Sequence, residues 1–83
     1  MTVATATGAL SAETVAVDCP GSQRALGGGG SPSGNKQINR TVPLKNNSTT
    51  EIAADGDTPT GWLVEYQSIG NNETATVYAI CVP

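Results

Sequence analysis

The stretch Thr74–Cys81 reads TATVYAIC, in which β-branched or aromatic residues alternate with smaller ones up to a closing cysteine. The earlier stretch Ala12–Cys19 reads AETVAVDC and also ends on a cysteine after an alternating run. Alternation with a period of two predicts β-strands that bury one face. The chain has two cysteines in 83 residues, so we expect a disulfide between Cys19 and Cys81 that joins an early strand to the last one.

The two cysteines occupy matching positions in their strands. Cys19 has the same parity as Val15 and Val17, and Cys81 has the same parity as Val77 and Ala79. Each cysteine therefore points to the same face as the apolar residues of its strand. A disulfide requires this, whether it joins neighbouring strands or two facing sheets.

The rest of the chain is predicted to form further short strands joined by turns, with no helix. Pro20-Gly21 and Asn46–Ser48 predict turns, and Gly70–Glu73 predicts a β-hairpin over residues 62–82. The run Gly27–Gly34 is either a flexible linker or, as we expect, the site of a bulge or a close backbone approach. The predicted strands are Ala12–Cys19, Gln23–Gly27, Gln37–Leu44, Thr49–Ala53, Trp62–Ile69 and Thr74–Val82.

These elements predict an all-β fold, a small antiparallel β-sandwich or barrel of about six short strands with one disulfide. Residues 11–83 are expected to form a single β domain, and residues 1–10 an extended N-terminal arm. A domain of this size buries only about 60% of the surface of its unfolded chain, so the core is expected to be thin. The larger apolar residues, among them Leu26, Tyr78 and Ile80, are the core candidates.

Charge and composition exclude several functions. Charged residues make up 13% of the chain and the formal net charge is −3, whereas nucleic-acid binding needs a clustered basic face. No stretch approaches the ~20 apolar residues that cross a bilayer. Histidine is absent, which removes the Ser-His and Cys-His arrangements of nucleophilic catalysis. The sequence therefore predicts a protein that is not an enzyme, has no cofactor, and binds neither nucleic acid nor membrane.

Asp55 and Asp57 are weak candidates for a metal site. Closely spaced carboxylates in a loop suit Ca²⁺, but two are too few for a cation that takes six or more oxygen ligands. A turn stabilised by the aspartate side chain is the default interpretation, and no metal site is predicted.

Two parts of the chain are candidates for a partner or ligand surface. Trp62, the only tryptophan, shares a strand face with Tyr66, and the pair either stacks on a ligand or packs in the core. Thr2, Val3 and Thr5 belong to the N-terminal arm, which either adds as a strand to a neighbouring subunit or stays inert.

Four short motifs carry a resemblance to a known kind of module: Cys19-Pro20, Leu26–Gly29, Gly61-Trp62 and Val77–Cys81. Their combination is similar to a small disulfide-stapled β module at the ends of bacterial extracellular proteins, collagen-like proteins and phage fibre or virion surface proteins. The resemblance implies a surface-displayed building block and transfers no active site. The chain shows no Gly-X-Y or coiled-coil stalk, which favours a decoration protein over a fibre tip.

We therefore expect a structural protein of a bacteriophage particle, located on the virion surface, that docks on the capsid or tail lattice and stabilises it. Its expected partners are the major capsid or tail protein and copies of itself, in a homotrimer or other symmetric cluster. The alternative is a carbohydrate-binding or adhesive module of a bacterial secreted protein, on the bacterial surface, that recognises a cell-surface glycan. The start of the sequence lacks the basic and apolar regions of a signal peptide, which favours the first.

Overall fold

The computed structural model describes residues 1–9, 14–32, 38–66 and 74–83. These residues contain six strands and no helix. The strands are β1 (Thr2–Ala9), β2 (Thr14–Asp18), β3 (Arg24–Pro32), β4 (Ile38–Leu44), β5 (Gly61–Tyr66) and β6 (Thr74–Val82). They form two three-stranded antiparallel sheets, sheet A in the order β1-β6-β3 and sheet B in the order β2-β5-β4. The predicted small all-β sandwich is confirmed. In the same residues no helix is long and apolar enough to span a membrane.

The core lies between the two sheets and follows from the alternation of their central strands. In β6 every second residue is buried, from Ala75 to Cys81. In β5, Val64 and Tyr66 are buried on the face that meets sheet A. Small side chains dominate this core, so the two sheets can approach closely. Its buried members are Val15, Val17, Cys19, Ala25, Val64, Tyr66, Ala75, Val77, Ala79 and Cys81.

The predicted disulfide is present and links the two sheets. Cys19 directly follows β2 of sheet B, whereas Cys81 lies in β6 of sheet A, and their Cα atoms are 5.8 Å apart. Of the two arrangements that parity allowed, the bridge therefore joins facing sheets.

The predicted β-hairpin over residues 62–82 is wrong. β5 pairs with β2 and β4 in sheet B, whereas β6 pairs with β1 and β3 in sheet A. Both strands are central, and the buried face of β6 packs against Val64 and Tyr66 of β5 across the sandwich. Residues 67–69, which the sequence adds to the first strand of this hairpin, lie outside the described residues.

The glycine run does not end a strand, as the sequence predicted at Gly27. β3 continues through it as far as Pro32, with a bulge between Ala25 and Gly27. The bulge confirms the expectation of an irregularity in this region. The predicted strand Thr49–Ala53 is also wrong, because this segment forms only an isolated bridge between Leu44 and Ile52.

The connection between β4 and β5 holds the two sheets together at the end near the disulfide. The Thr60 carbonyl accepts a hydrogen bond from the Cys19 amide (2.8 Å), and the Pro59 carbonyl accepts one from Ala25 on β3 (2.9 Å). The connection begins with the predicted turn at Asn46 and Asn47, both at positive φ. Asparagine is among the residues that adopt this conformation most readily.

Candidate docking surface

Sheet A carries most of the exposed large apolar side chains of the two sheets, and Ile38 on β4, 39% exposed, is the one that belongs to sheet B. On β6 the residues that alternate with the core positions include Tyr78 and Ile80. Ile80 lies beside Val3 of β1, and Tyr78 lies beside Thr5. The exposed fractions are 63% for Val3, 64% for Leu26 at the bulge of β3, 39% for Tyr78 and 38% for Ile80. These four residues define what we call the sheet A face.

The sheet A face is almost uncharged. Among the residues that form β1, β3 and β6, Arg24 at the start of β3 is the one charged residue. The other charged residues in the described part of the chain lie on sheet B or in the connections, including the ion pairs Arg40–Glu65 and Lys45–Asp57. Apart from Arg24, the charged side chains in the described part of the chain therefore lie outside the strands of sheet A.

Two glycines leave this face flat along one side. Gly27 lies beside Ile80 and Gly29 beside Tyr78, and a Cβ placed on either glycine would have open space around it. The missing side chains give a partner direct access to the flanks of Tyr78 and Ile80. Exposed apolar surface of this kind marks contact sites in soluble proteins.

The alternate glycines of the same run face the core and admit the aromatic rings of sheet B. A Cβ on Gly28 would collide with the indole ring of Trp62, and one on Gly30 would collide with the hydroxyl of Tyr66. The close backbone approach predicted for this run is confirmed. The glycines of β3 thus have two effects. Gly28 and Gly30 leave space for the rings of Trp62 and Tyr66, and Gly27 and Gly29 leave the backbone exposed on the sheet A face.

Trp62 and Tyr66 share a strand face, but that face is turned inward. Tyr66 has no exposed surface, and its hydroxyl donates a hydrogen bond to the Thr76 carbonyl (3.0 Å). Trp62 is half-buried, and its indole N–H donates to the Thr41 hydroxyl (2.6 Å). Burial raises the pKa of the Tyr66 phenol above its ordinary value. A fully buried ring cannot stack on a ligand, so Tyr66 supports the core interpretation.

The arm residues Thr2, Val3 and Thr5 are exposed and lie in β1. The predicted N-terminal arm, residues 1–10, thus contains a strand of sheet A. β1 pairs with β6 along its whole length, from Thr2 opposite Cys81 to Ala9 opposite Thr74. The structure thus places Val3 next to Ile80 on the sheet A face.

The two weak metal candidates lie in the connection between β4 and β5. One carboxylate oxygen of Asp57 accepts a hydrogen bond from the Ala54 amide (2.8 Å) and pairs with the Lys45 ammonium (3.2 Å). These two contacts hold the pKa of Asp57 below its usual value. No group of three or more metal-ligating side chains occurs among the residues described. The Asp57 carboxylate therefore stabilises a turn, which was the default interpretation.

The sequence did not assign Leu26, Tyr78 and Ile80 to a site, because it treated them as core candidates. Their exposure overturns that assignment. Alternation in the last strand could have indicated their exposure, since Tyr78 and Ile80 lie on the face opposite to Val77, Ala79 and Cys81. Parity alone does not tell whether a second layer covers the other face of a sheet.

Comparison of the chain with models of protein families, with curated proteins and with solved structures gives no match in any of the three. The resemblance to a phage and collagen-associated module stays a prediction. The sheet A face is the candidate site that the described residues support best.

Proposed function

We propose that the protein is a non-enzymatic structural protein of a bacteriophage particle, a surface or decoration protein that docks on the capsid or tail lattice. The observation that carries the proposal is the sheet A face, which is exposed, apolar and nearly free of charge. Docking would bury its side chains against the lattice, and burial of one large apolar side chain contributes up to about 1.5–3 kcal/mol.

Two further features agree with this function. The described residues contain no cavity that would hold a small substrate. The disulfide and the hydrogen bond from the Ala25 amide to the Pro59 carbonyl tie sheet A to the rest of the domain, which restrains the sheet A face. A rigid face loses less conformational entropy on binding than a flexible one. Many copies on one particle would each add such a contact and so stabilise the shell.

We expect tyrosine nitration to locate the docked face. The chain has two tyrosines, of which Tyr78 is 39% exposed and Tyr66 is fully buried. Tetranitromethane should therefore nitrate Tyr78 in the free protein, and Tyr78 should be protected in particles that carry the protein. Digestion with a protease that cleaves after glutamate, at Glu65 and Glu73, puts the two tyrosines in different peptides. Mass spectrometry of these peptides measures both rates, and Tyr66 serves as the internal control. Equal nitration of Tyr78 in the free and the particle-bound protein would contradict docking through this face.

The second candidate function is the carbohydrate-binding or adhesive module of a bacterial secreted protein. Tyr78 favours it, because an exposed ring beside the bare backbone of Gly29 can stack on a sugar. This function would use Tyr78 in place of the predicted pair Trp62 and Tyr66. Protection of Tyr78 by a soluble glycan in the free protein, with no protection in phage particles, would favour this function over the first.

A further inference from the structure

The four sheet edges of this domain are not equally protected against pairing with another strand. An edge strand leaves a row of backbone N–H and C=O groups unpaired, and natural proteins block such edges with charges, prolines, bulges or short strands. The edges here are β1 and β3 in sheet A and β2 and β4 in sheet B.

Three of these edges carry a blocking feature. β2 has five residues and ends at Asp18. β3 begins at Arg24, has a bulge and ends at Pro32. β4 has a register shift beside Arg40 and contains Pro43. Each feature either charges the edge, removes a donor or bends the strand.

β1 has none of these features. It runs for eight residues, TVATATGA, without a charge or a proline, and its pairing with β6 shows no register shift. In the described part of the chain it has a strand partner on one side only. β6 beside it is also uncharged, so two copies of a chain with net charge −3 can meet here without like charges on the nearest strands.

We propose that β1 pairs with β1 of a second copy of this chain, antiparallel about a twofold axis, so that the two A sheets form one continuous six-stranded sheet. The inference specifies the self-association that the sequence analysis expects of a decoration protein, and it rests on the proposed function in this respect. A twofold axis normal to the sheet keeps the outward faces of both copies on the same side. Residues that oppose each other must then point to the same face, so their numbers are either both odd or both even.

The sequence of β1 fits one such register well. With Thr5 opposite Thr5 of the second copy, Val3 lies opposite Thr7, and the inward Ala4 lies opposite Ala6. Cross-strand pairs of β-branched residues stabilise antiparallel sheets by roughly 0.2–1 kcal/mol each. The pairing covers Val3, and it places two copies of Tyr78 and Ile80 on one surface. Two linked docking faces bind a repeating lattice more tightly than one.

Single cysteines test this register directly. Thr5→Cys should give a disulfide-linked dimer on air oxidation, because opposed Cβ atoms lie within about 4.5–5.5 Å and small shifts allow a bridge. Thr7→Cys is the matched control, since the two copies of residue 7 lie four residues apart along the strands, about 14 Å. Non-reducing electrophoresis and mass spectrometry measure the linkage. Linkage of Thr5→Cys alone supports the pairing, whereas equal linkage of both variants or none of Thr5→Cys overturns it.

Sedimentation velocity provides the second test. The wild-type protein should sediment at twice the 8.4 kDa mass of the chain. Thr5→Lys places like charges opposite each other and should raise the dimer dissociation constant by about 100-fold, whereas Thr58→Lys, in an exposed connection, should leave it unchanged. A wild-type monomer or trimer, or a Thr5→Lys dimer as tight as wild type, overturns the inference. None of these measurements involves phage particles, so failure of the dimer and failure of particle docking are distinguishable.

Discussion

Replacement of both Cys19 and Cys81 by alanine should lower the free energy of unfolding by about 4 kcal/mol. The disulfide closes a loop with a sequence separation of 62 residues, and loss of that closure gives the unfolded chain more conformational freedom. Small domains are stable by only about 5–15 kcal/mol, so the variant is expected to be close to unfolding at 37 °C. Urea unfolding followed by the fluorescence of Trp62 measures the loss.

Alanine is the suitable replacement because both cysteines are buried, with exposed fractions of 3% and 0%. A serine at either position would add a hydroxyl that lacks a partner. The wild-type protein with its disulfide reduced serves as the control, since it keeps both side chains and loses only the covalent link. A loss below about 1 kcal/mol in both samples would show that the bridge between the sheets does not hold this fold together.

Gly28→Ala should destabilise the domain by roughly 1–3 kcal/mol, and Gly29→Ala should not. The Cβ of residue 28 would collide with the Cγ, Cδ1 and Cδ2 atoms of Trp62. These indole atoms lie close to the backbone of Trp62, so they cannot move away without a shift of β5. The Cβ of residue 29 would project into open space on the other face of the same strand. There alanine reduces the freedom of the unfolded chain and should stabilise the domain by up to about 1 kcal/mol.

The two glycine variants form a matched pair, because they differ by one position in one strand. Thermal or urea unfolding compares them, and the fluorescence maximum of Trp62 reports displacement of the ring in Gly28→Ala. Equal stability of the two variants would contradict the inward and outward alternation of the glycine run.

The parts of the fold that follow from local pattern could be predicted from the sequence. Alternation identified Thr74–Cys81 as a strand, and the two cysteines, each at the end of an alternating run, identified the disulfide. The turns at Gly21 and Asn46 followed from residues that tolerate positive φ. The strand and the turns depend on residues close to one another in the chain. The disulfide follows from there being two cysteines, whichever sheets their strands belong to.

The assignment of strands to sheets could not be predicted in the same way. β5 and β6 are consecutive and both alternate, which favours a hairpin, but each is the centre of a different sheet. The choice depends on how many partners each strand obtains across the whole domain, and that is a non-local property. The glycine run shows the same limit, because a strand rich in glycine is stable here only against the rings of Trp62 and Tyr66.

The candidate site was missed for a related reason. Large side chains such as those of Ile80 and Tyr78 favour core positions, and the sequence of the strand does not tell whether a second layer covers them. The arm residue Val3 was assigned to a partner surface and does lie exposed on the sheet A face.

Co-sedimentation with phage particles is the most direct test of docking through the sheet A face. The proposed function implies a phage whose genome encodes the chain. Particles of that phage, prepared without the protein, would be mixed with wild-type protein, with Ile80→Lys and with Thr58→Lys. Ile80 is exposed on the face and Thr58 lies in a connection, so both variants add the same charge to a folded domain. We expect wild type and Thr58→Lys to pellet with the particles and Ile80→Lys to remain in the supernatant. Pelleting of Ile80→Lys to the wild-type level, or no pelleting of wild type, would contradict the account.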